Sequence, residues 1–283
     1  MTKTTRLKVP QWQGGNNLTY ALGADILSFI APKNLEQKEI IVPISELEEP
    51  LIRENGVTGQ SVVAENVDKM TAIIQEEAPD KIITLGGDCL VSQAPFDYLH
   101  GKYEDKLGVI WLDAHPDIST PAIFFNAHAM VLGNLLKDGD PVLAEKVQHP
   151  FEAKDILYVG LQQPTVDEEA IMQRLGLQYQ VQAQSRLAPE TIIQWLQHNE
   201  FTKVAVHFDL DVLDPNEFRS LYFSEPGTAK HSAEAGKMSL LEVKETMQAI
   251  AEQSEIVGLT IAELLPWDAQ NLKNLLNGFD IFR

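Results

Sequence analysis

The sequence contains a single cysteine, Cys89, among its 283 residues, so an intrachain disulfide is impossible. Proteins of reducing compartments typically lack disulfides. The first residues contain no apolar core of a signal peptide, and the chain has no run of about 18 apolar residues that could form a membrane span. We therefore predict a soluble, cytoplasmic protein with no membrane partner.

Basic residues are scarce: 22 Lys and Arg residues stand against 41 Asp and Glu residues, which gives a formal net charge of −19. A nucleic-acid partner is therefore not expected, because phosphate binding requires a basic face. An acidic chain instead suits divalent cations and small cationic substrates, although most of its charges would lie on the solvated surface. The apolar share of 44% is that of an ordinary globular protein.

Internal repeats, low-complexity tracts and a linker are also absent, which favours a single domain over residues 1–283. Short β-rich runs alternate with stretches of helical spacing, such as 61–77 and 240–251. Several runs are continuously apolar, as in 108–112 and 204–208, which is typical of parallel strands covered on both faces. We predict a three-layer α/β/α fold with a mainly parallel sheet of about eight strands. The predicted strands are residues 6–9, 39–43, 81–85, 107–113, 156–161, 177–181, 203–209 and 256–261.

Polar side chains follow four of these predicted strands. Asp113 and Asp209 each end a strand, Cys89 comes shortly after a third strand, and Glu263 follows a fourth. In an open parallel sheet, ligands bind beyond the carboxyl ends of the strands. Four strands would therefore deliver polar groups to the same edge of the sheet, a convergence that packing alone does not explain.

Two of these strand ends carry residues at alternate positions: Asp113, His115 and Asp117 in one, and Asp209 and Asp211 in the other. On an extended segment, residues i and i+2 point to one side. Carboxylates with imidazole suit Mn²⁺, Zn²⁺, Fe²⁺ or Co²⁺, and several carboxylates in one place repel each other unless cations neutralise them. Each motif alone could be a polar turn after a strand. Together they predict a metal site, in which two ions about 3.5 Å apart could share carboxylates and hold a bridging hydroxide.

The order and spacing of these motifs resemble the arginase–agmatinase (ureohydrolase) family over about residues 81–266. That family shows Gly-Gly-Asp-His, Asp-Ala-His-x-Asp, Asp-x-Asp-x-x-Asp-Pro and a late Glu before a Pro. The matching stretches here are Gly86-Gly-Asp-Cys89, Asp113-Ala-His-Pro-Asp117, Asp209-Leu-Asp-Val-Leu-Asp-Pro215 and Glu263-Leu-Leu-Pro266.

The resemblance implies an arginase-like fold and a metal-dependent hydrolase. Its substrate would be a small cationic guanidino or amidino compound, as for arginase, agmatinase or formimidoylglutamase, with a metal-bridging hydroxide attacking the planar carbon. The family also forms homo-oligomers, usually trimers or hexamers, so the same is expected of this chain.

The resemblance further implies a ligand set for two Mn²⁺ ions. Asp113 and Asp209 would bridge the ions, and Asp117 would complete the shell of one ion together with the residue at position 89. His115 and Asp211 would hold the other ion. Asp117 is also expected to stabilise the tetrahedral intermediate with the metals.

Three further residues are expected to act on the substrate by resemblance. His128 would be the proton shuttle, and Glu263 would bind the guanidinium through paired charge-assisted hydrogen bonds. Either residue could instead be structural, His128 at a helix N-terminus and Glu263 at a strand end. Ser119 stands where the arginase motif Asp-Ile-Asn-Thr-Pro has the Asn that contacts the amino-acid end of arginine, and Ala129 stands where the family usually has Gly. The substrate identity is therefore left open.

Position 89 departs from the family, which has a metal-binding His there. Three interpretations of Cys89 compete. The thiolate could bind a metal, which would favour Zn²⁺, Fe²⁺, Co²⁺ or Ni²⁺ over Mn²⁺. Cys89 could instead leave one metal position weak or filled by water, or it could be a small buried hydrophobic residue.

Two other functional classes compete with a ureohydrolase. A catalytically degenerate relative could bind metal or a small ligand and regulate a partner. Zinc-dependent deacetylases share the fold, but they use fewer carboxylates and a His-His pair, which this sequence lacks.

Overall fold

A computed structural model describes residues 2–45, 50–182, 187–228 and 233–276 of the protein. The strands in this part of the chain are β1 (Thr4–Val9), β2 (Lys38–Ile41), β3 (Arg53–Glu54), β4 (Val57–Thr58), β5 (Lys81–Gly86), β6 (Leu107–Leu112), β7 (Ile156–Val159), β8 (Lys203–Asp209) and β9 (Glu255–Ala262). The helices are α1 (Thr19–Ile30), α2 (Gln60–Glu77), α3 (Gln93–Tyr103), α4 (Val131–Leu135), α5 (Pro141–Glu145), α6 (Val166–Leu175), α7 (Pro189–His198), α8 (Leu240–Gln253) and α9 (Trp267–Leu276).

Seven strands of the described residues form one sheet in the order β2-β1-β5-β9-β8-β6-β7, while β3 and β4 form a separate antiparallel hairpin. Every neighbouring pair in the large sheet is parallel. The predicted α/β fold with a parallel sheet is confirmed. The helices predicted at 61–77 and 240–251 are confirmed as α2 and α8, with ends shifted by one or two residues.

The prediction of a strand at 177–181 is wrong, because this segment does not join the sheet. The sheet therefore has seven strands among the described residues rather than about eight. Leu177 and Val181 are buried, and Tyr179 packs against the core, so the alternating apolar pattern is used for packing. One backbone hydrogen bond, from Gln182 N to Leu161 O, joins the end of this segment to the chain beyond β7. A strand requires a repeated ladder of such bonds, which hydrophobic alternation alone does not specify.

The sheet separates two hydrophobic cores, and alternate residues of each strand supply opposite cores. Val109 and Trp111 of β6 belong to the core that includes α2, α3 and α4, whereas Ile110 and Leu112 belong to the core that includes α1, α7 and α8. Every residue of β6 is buried. The continuous apolar run of this strand therefore reflects cover on both faces, as predicted for a three-layer arrangement.

Among the described residues, no helix combines the length and apolarity that crossing a bilayer demands. The segment 216–237 contains a short 3₁₀ turn at Tyr222–Ser224, and a bridge joins Leu213 to Met238 at its borders. Residues 229–232 of that segment lie outside the described part. The single domain, the compartment and the oligomeric state stay predictions.

Candidate metal centre and adjoining cavity

Strands β5, β9, β8 and β6 are consecutive in the sheet, and their carboxyl ends carry the predicted site residues. Cys89 begins a short 3₁₀ turn after β5, Glu263 follows β9, Asp209 ends β8 and Asp113 follows β6. All four side chains are buried. Because these parallel strands all run in one direction, their ends meet at one edge of the sheet, as predicted.

The turn that carries Cys89 is held by contacts to the N-terminal segment. A Cβ atom at Gly87 would lie 1.7 Å from the backbone oxygen of Gln11, so no other residue fits there. Gln11 Nε2 donates to Asp88 Oδ1 at 2.9 Å, and the Gly15 amide donates to Asp88 Oδ2 at 3.2 Å. Burial raises the pKa of Asp88 to about 6, although the Gln11 hydrogen bond opposes this. The Gly-Gly-Asp part of the motif thus fixes the position of Cys89.

Asp113, His115 and Asp211 form one group of possible metal ligands. His115 Nδ1 lies 3.0 Å from Asp211 Oδ2 and 3.6 Å from Asp113 Oδ1. An ion about 2.1 Å from each ligand would hold the ligand atoms roughly 3.0–3.4 Å apart. Backbone amides orient the carboxylates: the His115 amide donates to Asp113 Oδ1 at 2.6 Å, and the Asp211 amide donates to Asp209 Oδ1 at 2.7 Å.

A second group lies on the other side of Asp113. It comprises Cys89, Asp113, Asp117 and His207, whose potential ligand atoms all lie within 4.8 Å of one another. His207 Nε2 is 3.6 Å from Asp113 Oδ2, the oxygen that does not face His115. The Asp113 carboxylate therefore lies between the two groups with one oxygen toward each, an arrangement that suits a bridging ligand.

Asp209, the other residue expected to bridge, has a different surrounding. Cys89 Sγ donates to Asp209 Oδ2 at 2.7 Å and contacts Glu263 Oε1 at 3.3 Å. Asp209 also forms a possible ligand group with Asp211 and Glu263. Asp209 therefore joins the thiol to the rest of the carboxylate cluster.

The donor set fits divalent cations because several of its buried polar atoms have no protein partner. Asp117 Oδ2, Asp211 Oδ1 and His207 Nε2 are buried without a hydrogen bond. A buried polar atom left unpaired costs about 1–3 kcal/mol. A metal ion would satisfy these atoms and neutralise the carboxylates at the same time.

The crowded carboxylates have strongly shifted pKa values. Burial, and then the charge of neighbouring carboxylates, raises the pKa of Asp113, Asp117 and Asp209 well above the usual range. Although burial acts in the opposite direction for both, the pairing of Asp211 with His115 lowers the pKa of Asp211 and raises that of His115 to about 10. These shifts describe an excess of buried negative charge, which cations would relieve.

Burial is the largest influence on the pKa values of the two less usual members, Cys89 and His207. It raises the pKa of the Cys89 thiol well above its ordinary value, with Asp209 adding to the effect. Burial lowers the pKa of His207 to about 3. The protein by itself therefore favours a thiol and a neutral imidazole, and only a bound cation would make the thiolate favourable.

Asp117 and Glu263 have left-handed backbone conformations, with φ angles of +48° and +64°. Such conformations are uncommon outside glycine and cost about 1 kcal/mol or more. Both residues come directly after the strand-end segments and are nearly fully buried. The carboxylates of both residues belong to the possible ligand groups of the cluster.

His128 and Glu263, both expected to act on substrate, contact each other. His128 Nδ1 lies 2.8 Å from Glu263 Oε1, and the Tyr20 hydroxyl donates to Glu263 Oε2 at 2.8 Å. Although burial acts in the opposite direction, the charge of Glu263 raises the pKa of His128. The fold thus brings His128 and Glu263 together, and it adds Tyr20 of α1, which was not anticipated from the sequence.

Ser119 lies at the edge of the same cavity and donates from Oγ to Glu168 Oε1 at 3.0 Å. Glu168 is held in turn by the start of α6, where its Oε2 accepts from the amide and hydroxyl of Thr165. This capping box fixes Glu168 in the first helical turn, so its carboxylate is positioned by the helix end.

The cavity above the cluster has a volume of about 940 Å³. Its floor includes Cys89, His115, Asp117, Asp209 and Asp211, and its wall includes the expected substrate residues Ser119, His128 and Glu263. All the predicted site residues except the fully buried Asp113 therefore line one cavity large enough for a small molecule.

Comparison with known proteins agrees with this architecture. The profile of the arginase family matches residues 38–276, which is most of the chain.

The chain belongs to the arginase family.

An arginase of Entamoeba histolytica is 27% identical over 227 residues, covering 75% of this chain and 77% of that protein. Arginase-1 of Homo sapiens is 31% identical over 146 residues, covering 47% of this chain and 45% of that protein. The crystal structure of the Entamoeba histolytica arginase superposes with a TM-score of 0.79 at 20% identity, over 99% of both chains. That of the arginase from Bacillus caldovelox gives 0.80 at 21% identity, over 94% of this chain and 92% of that one. These structures share the fold.

Three residues of this arginase-family site were missed from the sequence: Tyr20, Glu168 and His207. Tyr20 and Glu168 reach the cavity from helices distant in sequence, and no local pattern marks them. His207 was detectable, because it precedes Asp209 by two positions on β8 and alternation places both on one face. It was overlooked because it lies inside an apolar run and outside the family motifs.

Proposed function

We propose that this arginase-family protein is a metal-dependent hydrolase that breaks a C–N bond in a small cationic guanidino or amidino compound. The observation that carries the proposal is the position of Glu263. Its carboxylate lies within 4.8 Å of the ligand atoms of Asp209 and Asp211 and also faces the cavity. A guanidinium held by Glu263 would therefore have its carbon beside the metal cluster.

Two divalent ions, Mn²⁺ by family resemblance, would be held by Asp113, His115, Asp117, Asp209 and Asp211. When bound, such ions lower the pKa of water and so supply a nucleophile near neutral pH. The unpaired buried oxygens of Asp117 and Asp211 support this assignment. The identity of the ion next to Cys89 would depend on the thiol, because sulfur favours softer ions.

The remaining roles belong to side chains of the cavity wall. Glu263 would bind and orient the cationic group through charge-assisted hydrogen bonds, with Tyr20 holding its second oxygen in place. His128 Nδ1 holds a proton against Glu263 while no substrate competes for that carboxylate. Because its pKa is raised, His128 would keep its proton to a higher pH than an ordinary histidine and could give that proton to the departing amine.

The cavity wall favours a substrate with a second positive charge. Glu168 and Glu225 add to the acidic lining, and none of the described lining residues is Lys or Arg. A substrate carrying a distant carboxylate would meet repulsion there, whereas a distant amine would be attracted. We therefore rank agmatine above arginine, and both above guanidinobutyrate and formimidoylglutamate.

The test is to load the metal-free protein with Mn²⁺, Zn²⁺, Fe²⁺, Co²⁺ or Ni²⁺ and to assay those four compounds for release of urea, formamide or amine. Glu168→Gln should raise the KM for agmatine several-fold while changing the KM for guanidinobutyrate little or lowering it. Glu36→Gln, at an exposed position outside the cavity, is the matched control.

No product release with any of the five metals would overturn the proposal. If the protein also holds less than one ion per chain and added metal does not restore it, a non-catalytic ligand-binding role replaces it.

A further inference from the structure

His207 is a fully buried histidine in the middle of the sheet, and it contacts both the metal cluster and the core. It is paired in register with Trp111 of the neighbouring strand, and the two rings stack with centroids 3.9 Å apart and planes 13° from parallel. The stack fixes the imidazole plane, so its two nitrogens point in defined directions.

The two ring nitrogens of His207 have different surroundings. Nδ1 lies 2.7 Å from Ser92 Oγ, and Nε2 has no hydrogen-bond partner. Metal-binding histidines commonly bond one ring nitrogen to a fixed protein group and offer the other to the ion. With Ser92 accepting from Nδ1–H, the lone pair of Nε2 would face the cluster.

A purely structural role does not account for this geometry. Nε2 is 3.6 Å from Asp113 Oδ2, which is too long for a hydrogen bond, and that oxygen already accepts from Trp111 Nε1 at 3.1 Å. A core histidine would thus leave a ring nitrogen unpaired beside an anionic cluster. The spacing is instead close to that between two ligands of one ion.

We propose that His207 supplies the imidazole that position 89 lacks, so that one ion is held by Cys89, His207, Asp113 and Asp117. The ligand atoms of these four residues lie within 4.8 Å of one another, and all four side chains are buried. Asp117 contributes an oxygen that has no other partner. The inference rests on the metal centre of the proposed function but not on its substrate.

The composition of this site determines which ion it prefers. One sulfur, one nitrogen and carboxylate oxygens form a softer set than carboxylates and imidazole alone, and they favour Zn²⁺, Fe²⁺ or Co²⁺ over Mn²⁺. His115, Asp211 and Asp113 form the other position with nitrogen and oxygen donors. The two positions should therefore differ in metal selectivity.

The experiment titrates metal-free protein with Co²⁺ and Zn²⁺ and counts ions per chain. Wild-type protein should bind two ions, with a thiolate-to-cobalt charge-transfer band that Cys89→Ser abolishes. His207→Ala and the bulkier His207→Gln should weaken binding of one ion by more than about 100-fold, because the loss of a ligand should exceed the effect of an outer-shell change. Ser92→Ala should weaken the same ion by roughly tenfold.

A control variant and a measurement on the wild-type protein keep the test valid whether or not the His207 variants fold. The exposed His198→Ala is the matched control and should leave both ions and the cobalt spectrum unchanged. X-ray absorption of the wild-type Zn²⁺ protein should show imidazole scattering from two histidines per two ions, together with one sulfur at about 2.3 Å. This second measurement applies even if His207→Ala fails to fold.

Unchanged stoichiometry, affinity and cobalt spectrum in both folded His207 variants would overturn the proposal, as would wild-type scattering from a single imidazole. Failure of the proposed hydrolysis is distinguishable, because it would leave these metal measurements as expected while no substrate is turned over.

Discussion

The imidazole of His128 and the carboxylate of Glu263 are paired, with Nδ1 and Oε1 2.8 Å apart on the wall of the cavity. A cationic substrate that binds Glu263 must compete with this histidine for the same oxygen. In the proposed function, the pair would therefore link substrate binding to the release of a protonated imidazole beside the reacting centre.

Glu263→Gln keeps the size of the side chain and its hydrogen bond to Tyr20 but removes the negative charge. Because truncating one member of a buried charged pair costs about 2–5 kcal/mol, kcat/KM for a guanidino substrate should fall by about 100-fold or more. Steady-state kinetics with agmatine and arginine would measure this. An activity equal to that of the exposed control Glu36→Gln would contradict the assigned role.

His128→Gln removes the acid but leaves a polar side chain beside Glu263. Removal of a general acid typically reduces the rate by 10²–10⁴-fold, so kcat should fall by about 100-fold while KM changes little. The alkaline limb of the wild-type pH profile should also disappear, since activity is lost as pH rises through the raised pKa of His128. A lower kcat with an unchanged alkaline limb would show that another group donates the proton.

Metal-free protein should become less stable as pH rises from about 4 toward neutrality. Asp113, Asp117 and Asp209 have raised pKa values in the folded state, so the folded protein binds more protons than the unfolded chain over this range. The pKa of Asp211 is lowered instead, so Asp211 adds to the stability of the folded protein as pH rises. That added stability is complete above about pH 4, the pKa of aspartate in the unfolded chain.

Added metal should reverse that trend, because its ligands must lose their protons to bind. The increase in Tm caused by Zn²⁺ or Mn²⁺ should therefore be larger at pH 8 than at pH 6. Asp113→Asn should raise the Tm of metal-free protein by about 2 °C or more and abolish the metal-dependent increase. The exposed Asp68→Asn should do neither, and a metal-dependent increase that persists in Asp113→Asn would exclude a bridging role.

The double variant Cys89→His with His207→Ser moves the imidazole from β8 back to the position where the family motif has it. The new donor set contains only nitrogen and oxygen, so the ratio of Mn²⁺ to Zn²⁺ affinity should rise by at least tenfold over the wild type. Competitive metal binding followed by elemental analysis measures the ratio. Cys89→His alone should crowd the site, and an equal gain in both variants would show that His207 does not bind the ion.

Much of the site could be predicted because most of the proposed ligands lie at or just after strand ends and their motif spacing repeats every two residues. Asp113, His115 and Asp117 are neighbours in the chain, so local alternation was enough to group them. The parallel strands could likewise be recognised from continuous apolar runs, as in β6. The segment 177–181 shows the limit of that reasoning, because its apolar alternation packs against the core and the segment does not join the sheet.

The family, the order of the elements and most of the proposed ligands could be predicted from the sequence alone, because they depend on residue types at short spacing. Which strands become neighbours, by contrast, depends on long-range packing, and only that adjacency brings Trp111, Asp113 and His207 together. The orphaned nitrogen of His207 is a product of the same adjacency, and the pairing of His128 with Glu263 likewise joins residues that are far apart in the chain. Alternation could have placed His207 on the face of Asp209, but hydrogen-bond satisfaction is a property of folded surroundings, so only the tertiary structure shows that Nε2 has no partner beside the carboxylates.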